Sequence, residues 1–267
     1  MRMSLPDTPR FNLELQGMRA IGIRSLIAVF CTLLFVRCAK AQQGTTQLWL
    51  DGTVGQAFAA YYKGELEVGY RSVISKDDPW ETFRLVPRVS VAPTAHWTFM
   101  MRGYFISAVG EGKEKTLEMR IQPGVKYNFT PFERVQSRLM LRYEFRSITS
   151  GDDVQHSQRL RIRAEMAMPL DTRNYHSDTM WYALGDAEAF YGPGQEVDER
   201  FANRIRLRAG LGRKFSYNMA LEALYNWQGS RTDIGDDDLL TDQIIRISFK
   251  YFFSPRVRKL PADPTSP

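Results

Sequence analysis

Cysteine is scarce in this chain: 267 residues hold two, Cys31 and Cys38, and from Gln42 onward there is none. That excludes a disulfide framework and any thiolate metal site in the body of the protein. Histidine is nearly as rare, with only His96, His156 and His176. No phosphate-loop, dinucleotide or Cys/His metal motif occurs, so neither a cofactor nor a metal is expected. A spanning helix needs about 20 apolar residues, and nothing beyond residue 42 provides such a run. If the chain enters a membrane, it must do so as strands. A marked basic excess is missing too. Lys and Arg number 36 against 30 Asp and Glu, but Arg2, Arg10, Arg19, Arg24, Arg37 and Lys40 precede residue 42, with only Asp7 and Glu14 to offset them. The remainder carries a net charge of about +2, so the pI of 9.3 is no argument for a nucleic-acid partner.

The N-terminal region has a different character. Arg19 and Arg24 precede an apolar run over 25–36, and Ala39-Lys40-Ala41 follows. Positive flank, short apolar core and small-x-small site together read as a cleavable secretory signal over 1–41. Met18 is a second candidate start, since 18–41 alone makes a signal of ordinary length. Arg37 stands where a lipobox needs a small residue, which removes Cys38 as a lipidation site. The remaining composition, 43% hydrophobic and 25% charged over the whole chain, suits one folded domain over 42–253 with a polar, Pro-rich tail over 254–267.

Period-two alternation runs through that domain. Over 135–148, Val135, Leu139, Leu141, Tyr143 and Phe145 share one face, while Gln136, Arg138, Arg142, Glu144 and Arg146 share the other. Such alternation means strands with two contrasting faces. It places strands at 60–73, 81–91, 96–108, 115–128, 135–148, 157–168, 179–190, 200–213, 218–228 and 241–253. Soluble strands average about 5–6 residues, and tilted membrane strands need about 9–11. These are of the longer kind. Short connections (92–95, 130–134, 214–217) alternate with acidic ones (75–79, 149–156, 192–199, 229–240), the outer-membrane habit of short inner turns and longer outer loops. The turn at 169–178 is longer than that habit predicts. Aromatics such as Tyr70, Trp80, Trp97, Phe129, Phe132, Phe145, Tyr191, Phe201, Phe215, Tyr217, Trp227 and Phe253 collect near strand ends, where a membrane interface would lie. The last strand alternates Ile245, Ile247, Phe249, Tyr251 and Phe253, like a barrel-assembly signal, though a tail follows it.

The predicted fold is all-β, a transmembrane up-and-down antiparallel barrel. The segment 47–55 also alternates and would make eleven strands. Because single-chain bacterial barrels use even numbers, ten wall strands are expected, with twelve as the alternative.

Leu48-Trp49, the Glu67/Arg71 spacing, the Arg-rich middle strands and Asn203-Arg204 opening a late strand resemble an uncharacterised family of outer-membrane barrels, domain of unknown function 2490. The resemblance implies a barrel and an outer-membrane address, and it supplies no substrate or catalytic residue.

An Arg at mid-membrane costs about 2–4 kcal/mol, so the charged faces should line the lumen. That assigns to the lumen Arg71, Arg84, Arg88, Arg102, Arg120, Arg138, Arg142, Arg146, Arg159, Arg161, Arg163, Arg204, Arg206, Arg208 and Arg246. Glu65, Glu67, Glu118, Glu144, Glu165, Glu188 and Glu222 face them. Fifteen arginines against seven glutamates leave eight positive charges for water, loop acids or a bound small anion. Two uses follow. The lumen is filled by ion pairs and structural, or it is a narrow anion-preferring pore. An extracellular-rim hydrolase is a further alternative, with Asp152, Asp153 and His156 as its candidates. The pairs Asp77-Asp78 and the run Asp236-Asp237-Asp238 also lie on acidic loops. A soluble periplasmic β-protein is the fold-level alternative. Expected partners are outer-membrane lipid and lipopolysaccharide, the barrel-assembly machinery and small anions.

Overall fold

The structure, a computed structural model, describes residues 45–59, 61–74, 80–110, 115–131, 134–192, 204–231 and 239–253. The signal segment, the tail, Phe132, Phe201, Asp77, Asp78 and Asp236 to Asp238 lie outside the described residues.

Alternating apolar and polar residues cannot satisfy both faces of a flat sheet in one solvent. Here the sheet closes on itself. The strands are β1 (Thr46–Ala57), β2 (Tyr62–Val73), β3 (Trp80–Val91), β4 (Trp97–Gly110), β5 (Thr116–Asn128), β6 (Gln136–Ser150), β7 (Asp153–Pro169), β8 (Met180–Tyr191), β9 (Arg204–Lys214), β10 (Met219–Arg231) and β11 (Leu239–Phe252). Sequential neighbours pair antiparallel, and β1 pairs with β11 in parallel to complete a closed barrel. The barrel expectation holds. Its strand number does not, for 47–55 belongs to a full wall strand, making eleven. An up-and-down ring with an odd number of strands must contain one parallel pair, and β1–β11 is that pair.

Register fixes the shape. From Trp49, hydrogen-bonded partners lead through Arg71, Thr82, Ala108 and Thr116 to Ser150 on β6. In the other direction they lead through Arg246, Leu224, Gly210, Leu184 and Ala167 to Gln136 on the same strand. The difference between 150 and 136 is a shear of fourteen residues. With eleven strands this gives a tilt of about 40° and a wall radius of about 11 Å, within the range of membrane barrels. An even shear also keeps inward residues beside inward residues all round the ring.

The outward face is apolar and exposed: Leu50, Val68, Phe83, Met101, Ile121, Leu141, Ile162, Leu207 and Ile247 all point away from the lumen. Aromatics gather at both ends of the strands. Near the short turns Trp97 packs on Tyr127 at 4.7 Å and Tyr127 on Phe129 at 5.0 Å; at the opposite end Tyr70 packs on Phe83 at 5.1 Å and Tyr143 on Phe145 at 4.9 Å.

The segment 149–156, expected as a loop, is mostly strand. β6 and β7 run on to Ser150 and Asp153, joined by a two-residue turn in which Gly151 takes a positive φ of 58°. Glycine meets no Cβ penalty there. The long 170–179 connection folds back on neighbouring elements. Lys214 donates to the carbonyl of Tyr175 at 2.7 Å, and His176 Nε2 lies 3.0 Å from the carbonyl of Pro131.

Candidate functional site

The lumen is the candidate site, and period two builds it. Each strand gives its even- or odd-numbered residues to the interior, so the charges of eleven strands converge on one axis. The in-facing positions include every predicted lumen residue on the described strands. For Arg204 only the backbone lies within the described residues.

Those residues form linked clusters. Arg84 reaches over β2 to Asp51 (Nη2–Oδ1 2.6 Å) and also pairs with Glu67, while Arg246 meets Asp51 from the far side (Nε–Oδ2 2.5 Å). Arg120 grips Glu118 with two hydrogen bonds of 2.6 Å, and Arg146 Nε donates to the same carboxylate at 2.6 Å. At the waist, Arg161 forks between Glu144 (2.5 Å) and Glu188 (2.8 Å); Arg159 also pairs with Glu144, and Arg142 with Glu188. Gln122 donates to Glu144 as well. Lower down, Arg138 and Arg163 share Glu165 at 3.1 and 2.9 Å, and Arg208 donates to Asp186 at 2.7 Å. Arg88 and Lys63 share Glu65 at 2.8 and 2.7 Å, and Lys250 and the Tyr182 hydroxyl both donate to Glu222.

Burial of the charged waist is nearly complete. Glu144 and Gln122 are 0% exposed, Glu188 1% and Arg142 2%. A carboxylate cannot remain ionised in such a place without charged partners, and each of these two has several. Arginine suits the task because its planar fork serves two carboxylates at once and stays charged.

Sequence reasoning counted only glutamates and so missed three in-facing acids, Asp51, Asp186 and Asp242, the last accepting from Thr45 and Gln228. Asp51 sits on β1, the strand set aside on the even-number rule. Its alternation with Trp49 and Thr53 was the available signal. Asp186 alternates with Glu188 on β8 and was equally readable. Even with these acids, Arg71 and Arg102 form no ion pair among the described residues.

The rim candidates do not assemble a site. Asp152, Asp153 and His156 are exposed on the β6–β7 hairpin, and Asp153 accepts from Gln155 at 2.8 Å. His156 stands opposite Ser147 on the outward face, whereas Asp153 has the parity of the inward one. His96 lies in the aromatic rim instead, stacked on Tyr127 at 5.7 Å with Nδ1 2.8 Å from the carbonyl of Asn128. In the turn after β9, a hydrogen bond to Asp178 raises the Tyr217 phenol above its ordinary range.

Among solved structures, LpxR from Salmonella typhimurium is 10% identical over 75% of this chain and 87% of that one, with a TM-score of 0.51. The NanC porin is 11% identical over 74% and 90%, at 0.45. The translocator domain of the autotransporter NalP from Neisseria meningitidis is 10% identical over 66% and 71%, at 0.41. At such identity the first speaks to fold alone, and the other two are too distant to carry an argument. A comparison with curated proteins finds no match. Residues 46–238 match the family model described as a protein of unknown function, DUF2490, and the chain belongs to that family.

Proposed function

We propose that the protein is an integral outer-membrane barrel whose lumen is closed by its own ion pairs, a structural wall element rather than an open pore. The membrane address is supported by the exposed apolar outer face, the aromatics at both strand ends and the export-signal pattern of 1–41. A soluble periplasmic protein would leave that face in water. Its surroundings would be outer-membrane lipid and lipopolysaccharide, reached through the barrel-assembly machinery.

One observation carries the closed reading. Glu144 and Glu188, tied together by Arg161, lie at the waist with almost no exposed surface. Two experiments test the proposal. Folded protein that needs detergent and migrates heat-modifiably on a gel supports the address, whereas solubility without detergent contradicts it. A planar bilayer containing folded protein should stay electrically silent.

The second reading, a narrow anion-preferring pore, is favoured by Arg71 and Arg102, which form no ion pair among the described residues. Rings of Arg suit anion passage. On that reading, discrete conductance steps with anion preference appear and weaken in Arg161→Ala or Arg206→Ala.

A further inference from the structure

Beyond the salt-bridge clusters, the lumen contains a belt of alternating guanidinium and aromatic groups. Arg71 on β2 lies 3.8 Å from the Trp49 ring of β1. Arg206 on β9 lies 5.5 Å from the same ring and 5.2 Å from Phe190 of β8. Arg159 on β7 lies 5.0 Å from Phe190. Arg120 on β5 adds a further guanidinium, 5.8 Å from the Tyr104 ring of β4.

The four arginines are unequally compensated. Arg120 grips Glu118 and Arg159 holds Glu144. Arg206 spends two donors on the neutral Gln228 (2.9 and 2.5 Å) and meets Glu188 only at 3.5 Å. Arg71 makes no hydrogen bond or ion pair among the described residues, and its buried Nε has no acceptor. An aromatic ring occupies a guanidinium's face and leaves its N–H edge free. On Arg71 a buried donor without an acceptor, on a cation that touches no carboxylate among the described residues, is costly and is satisfied by an anionic acceptor.

We propose that this belt binds a small tetrahedral oxyanion of the phosphate or sulfate class. The N–H edge of Arg71 would hold it, with the donors of Arg206 not taken by Gln228 as a second contact, within the positive field of Arg120 and Arg159. Oxyanions match paired N–H edges in a way that a halide does not. Arg71 and Arg206 each keep part of their surface exposed rather than sealed. The barrel wall separates the belt from lipid, so the source is a soluble ion and not a lipid headgroup. The site goes beyond the closed-lumen reading and does not depend on it.

The test uses the full folded protein in detergent, exchanged into chloride and titrated with inorganic phosphate at constant ionic strength. Calorimetry should give saturable binding, and the unfolding midpoint should rise with phosphate. Arg71→Gln and Arg206→Gln should each weaken binding about tenfold or more, while Arg213→Gln at the exposed rim should not. Non-saturable heats in the wild type, an equal midpoint shift with chloride, or unchanged binding in Arg71→Gln overturns the site. Arg71→Gln removes a cation that holds no ion pair, so it serves if Arg206→Gln fails to fold. Phosphate binding by a conducting barrel would retire the closed reading and keep the site. A silent barrel indifferent to phosphate would do the reverse.

Discussion

Arg161 shows how much a single side chain carries in this lumen. It bridges Glu144 and Glu188, which are otherwise held by different arginines, so its loss unlinks two clusters and leaves two buried carboxylates short of charge. Removing one partner of a buried pair costs about 3–5 kcal/mol. Arg161→Ala is therefore expected to lower the unfolding midpoint of the detergent-folded barrel sharply. Arg213→Ala is the control. Its partner Asp171 is 3.8 Å away and both side chains are more than a third exposed, so a change within about 0.5 kcal/mol is expected. Equal effects from the two variants would show that the waist pairs contribute nothing special. At this scale the sequence was largely readable, since an alternating strand shows which residues are opposed in face. What it withheld was partnership. Asp51 meets Arg84 and Arg246 from β3 and β11, a convergence that depends on shear rather than on local pattern.

Strand β1 tests the logic of the elements. Its outward Leu50 is 40% exposed on the apolar face. Leu50→Arg should cost about 2–4 kcal/mol if that face meets lipid and almost nothing if it meets water; denaturant titration in lipid vesicles distinguishes the two. The glycines supply a second contrast. A Cβ at Gly52 meets nothing within 4 Å, so Gly52→Ala should leave the yield of folded, heat-modifiable barrel unchanged. At Gly210 a Cβ would run into the backbone of Ala223 and Leu224, so Gly210→Ala should lower that yield. The strands could be read from the sequence because alternation is local, and most of the observed strands lie within a few residues of the predicted ones. Two features escaped. β1 was set aside because known barrels favour even numbers, although its own pattern was as regular as the rest. The Gly and Asp residues of the 149–156 hairpin have turn composition, and composition does not say how far two paired strands continue beyond the wall.

For the whole molecule, the parallel seam has a topological consequence. With eleven strands, the start of β1 lies at the end bearing the acidic loops, and the end of β11 lies at the end bearing the short turns. If the short turns face the periplasm, Thr45 at the entry of β1 is at the cell-surface end of the barrel. An epitope tag inserted just ahead of Thr45 should then be accessible to antibody on intact cells, and one placed after Phe253 should not. The opposite pattern would invert the barrel. The closed waist can be tested by single-channel recording in a planar bilayer. Heat-modifiable, correctly folded wild-type protein should show no discrete conductance, and steps should emerge in the double variant Glu144→Ala with Arg161→Ala. Stable, anion-selective steps in the wild type would contradict it.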